Sequence, residues 1–145
     1  MADQFTRRAL NAILGLTVVY ALWPTWAANV IAGTVVTAGA SAYGAVKELI
    51  AANTITTDFW ACSVDFDTTT NFQLFRVEVG TGTTGVFTTS RGQFQLDVTA
   101  ATANLSRFMV GPFPAWCPAN TQMVARATGT GAKVVGVSLC TATGL

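Results

Sequence analysis

The chain has 145 residues, enough for one domain or for one domain carrying an arm. Apolar residues make up 51% and charged residues 10%, the net charge is +1, and there is no histidine. That excludes a basic field for nucleic acid or an anionic membrane, and it removes the commonest general base and metal ligand. With so little charge to hold copies apart, the surface is expected to be covered by neighbours in a homo-oligomer.

Residues 1–40 read as a short helix followed by an apolar arm that anchors or oligomerises the chain. No charge occurs from Ala9 to Val46. Phe5, Ala9, Ala12 and Ile13 fall at helical spacing, with Asp3 as N-cap and Gly15 as stop. The run behind Arg7 and Arg8 also has the form of a signal peptide or a membrane helix. Gly15 interrupts that run, Pro24 ends it, and Leu16–Leu22 is rich in β-branched and aromatic residues. Strands at Leu16–Leu22 and Val30–Val36, parted by a Trp-Pro-Thr-Trp turn, are therefore the better division. An arm this apolar is expected to dock on its own domain or on a neighbouring subunit. Its contact residues are Phe5, Ile13, Leu16, Trp23 and Trp26.

Residues 41–145 read as an all-β domain. Strands are expected at Tyr43–Ile50, Phe59–Phe66, Phe72–Val79, Gln93–Val98, Ser106–Val110, Thr121–Thr128 and Lys133–Cys140, with Asn, Gly, Thr and Pro between them. Phe94, Leu96 and Val98 alternate with Gln93, Gln95 and Asp97, as in a half-buried strand. Trp60, Cys62, Val64 and Phe66 would form one side of another, opposite Ser63 and Asp65. Short strands at about ten-residue spacing predict an antiparallel β-sandwich or jelly roll.

The motifs favour structure over chemistry. "GTGTTG" at Gly80–Gly85 satisfies the dinucleotide pattern G-x-G-x-x-G, but "VFTTSRG" follows instead of a helix, so it reads as a turn. Asp65 and Asp67 share a strand face but have few other oxygens nearby, fewer than calcium requires, and read as a solvated edge. Asn104-Leu105-Ser106 fits a glycosylation acceptor, which matters only in a secretory pathway. Trp116-Cys117-Pro118 has the look of a redox centre but lacks a second cysteine two residues on, and no histidine exists to activate a lone thiol. The three cysteines are Cys62, Cys117 and Cys140. Two readings stand: three buried thiols, or one internal pair with a third thiol free to bridge subunits. No catalytic residue, metal or cofactor is expected.

"FPAWCPANTQMVARATGTGAKVVGVSL" resembles the closing hairpin of small β-sandwich modules in tailed-phage virions. Pro118, Ala119, Thr121, Met123, Ala125 and Arg126 match that pattern, and Val134–Leu139 matches its last strand. "AVKELIAANTITTDFWACSV" looks like the module's opening pair. The likeness spans about Val46 to Leu139 and departs at Trp116-Cys117, where a plainer residue is usual. It implies a non-enzymatic virion protein assembled in the host cytoplasm, most of all a capsid decoration protein. It also implies self-association, as a trimer or similar multimer, and contact with the major capsid protein or other virion proteins, with neither nucleic acid nor membrane as partner. A tail, collar or fibre component is the alternative, with Trp23, Trp26, Trp60 and Trp116 stacking on receptor glycans. A secreted enzyme behind a signal peptide is a third possibility, disfavoured by the missing histidine. Arg126 has two readings: a solvent-facing strand residue, or half of an intersubunit pair with Asp65, Glu78 or Asp97.

Overall fold

The computed structural model describes residues 18–24, 33–68, 73–98, 106–112, 114–130 and 133–144. Among them the regular structure is all β. The strands are β1 (Val19–Trp23), β2 (Thr34–Gly39), β3 (Lys47–Ile50), β4 (Phe59–Thr68), β5 (Gln73–Thr83), β6 (Val86–Val98), β7 (Ser106–Val110), β8 (Ala115–Cys117), β9 (Met123–Gly129) and β10 (Val134–Thr143). The helix expected around Phe5 to Ile13 lies outside the described residues.

The strands form one path, β6-β5-β9-β2-β10-β4-β7, with β1 joined to β10, β3 to β9 and β8 to β4. The path curls back on itself: Phe66 on β4 and Phe94 on β6 stand well apart along it, yet their ring centroids are 5.6 Å apart. A single core fills the curl. Phe59, Val64, Phe66, Val77, Val79, Met123, Val135, Val137 and Leu139 are its bulkiest contributors from β4, β5, β9 and β10. Such close-packed aliphatic and aromatic side chains supply most of the folding free energy.

The sheet is mixed, not purely antiparallel. Ala38 and Gly39 of β2 pair in parallel with Ala127 and Thr128 of β9. The reason lies in the chain path. β9 and β10 are consecutive, and β2 lies between them. A strand antiparallel to β10, as Thr34–Thr37 are, must run parallel to β9.

Before residue 40 the described strands, β1 and β2, are part of this sheet. β1 and β2 lie end to end along one edge of β10: Trp23 faces Leu139 and Thr34 faces Val137. Only Ser138 intervenes on β10, and its hydroxyl donates to the Pro24 carbonyl at 3.1 Å. Pro24 closes the β1 part of this line and Gly33 opens the β2 part. Gly33 has φ +83°, and a side chain there would strike Ser138 and the Val137 carbonyl, so only glycine fits.

Three local expectations are corrected. Along β4 the core side carries Phe59, Ala61, Val64 and Phe66, not Trp60 and Cys62. The register explains it: Cys140 faces Ser63 and Thr141 faces Ala61, so Cys62 is an extra residue, a β-bulge that shifts the alternation by one. In "GTGTTG", only Thr84-Gly85 forms the turn, with Gly85 at φ +81°, and Gly80–Thr83 continue β5. β6 extends the hairpin back to Val86, so the strand expected from Gln93 begins seven residues earlier. Both strands are longer than the alternation implied because β6 bulges at two points to follow its partner.

Candidate functional site

The outer face of the β1-β10-β4-β8 region gathers aromatic residues that are far apart in the sequence. Tyr20 faces Ala142, Ala142 faces Trp60, and Trp60 faces Trp116. Directly paired residues project from the same side of a sheet, so these four form one row across four strands. Ala142 is buried, Trp60 is half-buried, and Tyr20 and Trp116 are 58% and 47% exposed. Met109 on β7, opposite Asp65, is exposed on the same side. The row exists because the Cys62 bulge turns Trp60 away from the core. No periodic pattern in the sequence places it beside Tyr20, forty residues earlier.

The cysteines separate into two environments. Cys117 on β8 is fully buried in the core, its Sγ 3.8 Å from both the Ala115 carbonyl and the Met123 Sδ. Burial pushes its thiol up, and the charge of Arg91 opposes this only in part. Cys62 and Cys140 are half-buried and lie on the outer face, one row from the aromatic row. Burial raises the Cys62 thiol, the charge of Cys140 raises it further, and the Ala142 backbone works against both. Trp116-Cys117-Pro118 is thus split by β8: the tryptophan faces out and the cysteine faces in.

Arg126 pairs within its own chain with Glu78, one of the three carboxylates named for it. Its Nη2 and Nε lie 2.6 and 2.7 Å from Glu78 Oε2 within the same chain. Its guanidinium sits 4.1 Å from the centroids of both the Tyr43 and Phe87 rings, between the two. Gln93 donates to the other Glu78 oxygen at 3.2 Å. Glu78 is buried, which alone would raise its carboxyl. Hydrogen bonds from Ser90, Arg126 and Gln93, with the charge of Arg126, more than offset that and hold it below the usual carboxylate range. The ring pair and the carboxylate hold the guanidinium, whose side chain keeps 29% exposure.

Of the other expected contact residues, Phe5, Ile13, Leu16 and Trp26 lie outside the described residues. Trp23 packs against the core, and its Nε1 donates to Thr141 Oγ1 at 3.1 Å. Asp67 is not a solvated edge: it is buried, while Asp65 is half-buried. Burial raises the Asp65 carboxyl, and its Oδ1 has no hydrogen-bond partner among the described residues. Among the described residues no three Cys, Asp or Glu side chains gather as a metal cluster would need, and no helix is long and apolar enough to cross a membrane. A depression lined by Leu74, Arg76, Gln95, Thr128, Gly129 and Thr130 holds about 240 Å³, short of the roughly 300–1,000 Å³ of small-molecule sites.

No family model and no curated protein matches the chain. Among solved structures, it is similar to a Bacillus endospore appendage from a family of disulfide-linked pili, at 17% identity and a TM-score of 0.41, over 88% of this chain and 87% of that one. It is also similar to a chain of the infectious bursal disease virus Gt strain, at 15% identity and a TM-score of 0.41, over 86% of this chain and 33% of that one. The VP2 protein of the same virus, in T=1 particles, aligns at 12% identity and a TM-score of 0.42, again over 86% of this chain and 31% of the other. The chain thus spans about a third of the viral proteins' length. At such scores these likenesses carry no weight for function.

Proposed function

We propose that this chain is a non-enzymatic structural subunit of a virus particle that works through repeated contacts with its own copies and with other virion proteins. The observation that carries this reading is the aromatic row of Tyr20, Trp60 and Trp116 on the outer sheet face. In a chain with only 10% charged residues, large side chains left in water along one sheet face favour a covering partner over solvent. The hairpin's resemblance to tailed-phage modules narrows the reading to a decoration protein on the capsid, built as a curled β-sandwich or jelly roll with residues 1–40 contributing contacts. A trimer is the expected copy number. Avidity over many sites lets each contact be weak.

The test is direct. Purified protein is mixed with undecorated capsids and with its own copies, and binding and mass are followed by sedimentation. A decoration protein binds capsids saturably and self-associates, and replacing Tyr20 and Trp116 weakens both. A monomer that ignores capsids overturns the proposal. Exposed aromatics also suit stacking on sugars, so saturable binding to host-surface glycans by the isolated protein would favour a tail or fibre tip instead.

A further inference from the structure

We propose that Cys62 and Cys140 are a dithiol pair that closes into an intramolecular disulfide on meeting a small-molecule disulfide such as oxidised glutathione, while Cys117 stays reduced. The juxtaposition comes from the β4 bulge. Cys140 on β10 directly faces Ser63 on β4. In an unbroken ladder the residue before Ser63 would point to the opposite, core side. The bulge instead leaves Cys62 and Ser63 consecutively on the outer face, beside Cys140. Cys62 is the chain neighbour of Ser63, the residue directly opposed to Cys140, and at a bulge two consecutive residues oppose one on the partner strand, which brings Cys62 close to the roughly 4.4–6.8 Å between Cα atoms that a disulfide spans. The influence of the Cys140 charge on the Cys62 thiol is a second sign that the two are close. Neither thiol is sealed in the core, whereas Cys117 is.

The chemistry balances as two exchanges. One protein thiolate attacks a sulfur of the oxidised glutathione, breaking its S–S bond and releasing one glutathione thiolate, which takes up a proton. The second protein thiolate then attacks the protein sulfur of the mixed disulfide and releases the second glutathione. Two protein thiols are oxidised to one disulfide, and one glutathione disulfide is reduced to two thiols. Because burial raises the Cys62 thiol, closure is slow near neutral pH and faster as pH rises. A reducing cytoplasm keeps the pair open, and an oxidising exterior closes it. The bond would join β4 to β10 at the bulge, across a loop of nearly eighty residues. The inference stands on the register and on the partial exposure of both thiols, and does not depend on the virion reading.

The experiment uses the full chain incubated with oxidised glutathione at pH 8.5, followed by non-reducing gels, intact mass and mapping of linked peptides. Expected are a monomer lighter by about 2 Da, linked peptides carrying Cys62 and Cys140, and a thermal midpoint raised by about 10 °C. C117S should behave like the parent, and C62S and C140S should each fail to lose the 2 Da. Either of these two variants suffices if the other does not fold. Stable glutathione adducts without loss of mass, covalent dimers, a bond involving Cys117, or no oxidation at all would overturn the proposal.

Discussion

Two regions handle their chemically demanding side chains in opposite ways. On the β5-β9 side, Arg126 brings one of only eight cationic side chains into the sheet, and the fold answers it with Glu78 and two aromatic rings. On the outer face of β1, β10, β4 and β8, Tyr20 and Trp116 are left largely in water. The contrast separates two kinds of residue. A group whose needs are met inside the chain holds the fold together. A large apolar group whose needs are unmet is available to another molecule.

The largest expected effect lies in the answered region. E78A should cost about 3 kcal/mol of stability, because it strands a partly buried guanidinium without its carboxylate. Denaturant unfolding measures this, and a loss under about 1 kcal/mol would show that the clamp is ornamental. The second effect lies in the unanswered region. Y20A with W116A should weaken self-association or capsid binding by tenfold or more, about 1.4 kcal/mol, while changing stability by less than about 0.5 kcal/mol. Sedimentation and unfolding curves on the same samples read both, and a large stability loss without any change in association would erase the comparison.

Acid sharpens it further. The Glu78 carboxyl lies below its ordinary value when folded, so its contribution is present above the unfolded pKa of about 4.3 and is lost as pH falls through the lower folded value. Stability of the parent should therefore fall more steeply below about pH 4 than that of E78Q, as read by thermal midpoints across pH. Asp65 has the opposite sign and the smallest effect. Its carboxyl is raised by burial, so its charge opposes folding at neutral pH, and that penalty is relieved as pH falls through the raised value. D65N should be neutral to slightly stabilising at pH 7, by at most about 0.5 kcal/mol. A marked loss would mean that the charge has a partner.

Particular residues show how much could be read in advance. The all-β class was legible from short alternating runs, and Ser106–Val110 forms the strand expected of it. Arg126 and Glu78 were named as one of three possible pairs, but their placement within a single chain depends on β5 and β9 being neighbours. The β8 strand was hidden among Pro112, Pro114 and Pro118 because three residues are too few to show a period. The aromatic row was hidden twice. Its members are distant in sequence, and the Cys62 bulge reverses the side to which Trp60 points.

By itself the sequence determined a charge-poor β protein without histidine and its turns at Gly and Pro. Those properties are set by composition and by patterns a few residues long. Tertiary structure alone decided the parallel contact of β2 with β9, the division of three cysteines into a buried thiol and an outer pair, and the alignment of Tyr20, Trp60 and Trp116. These follow from which strands become neighbours and from one extra residue in a ladder. Strand order and register are fixed by the summed packing of the whole core, and no local stretch of the chain contains that sum.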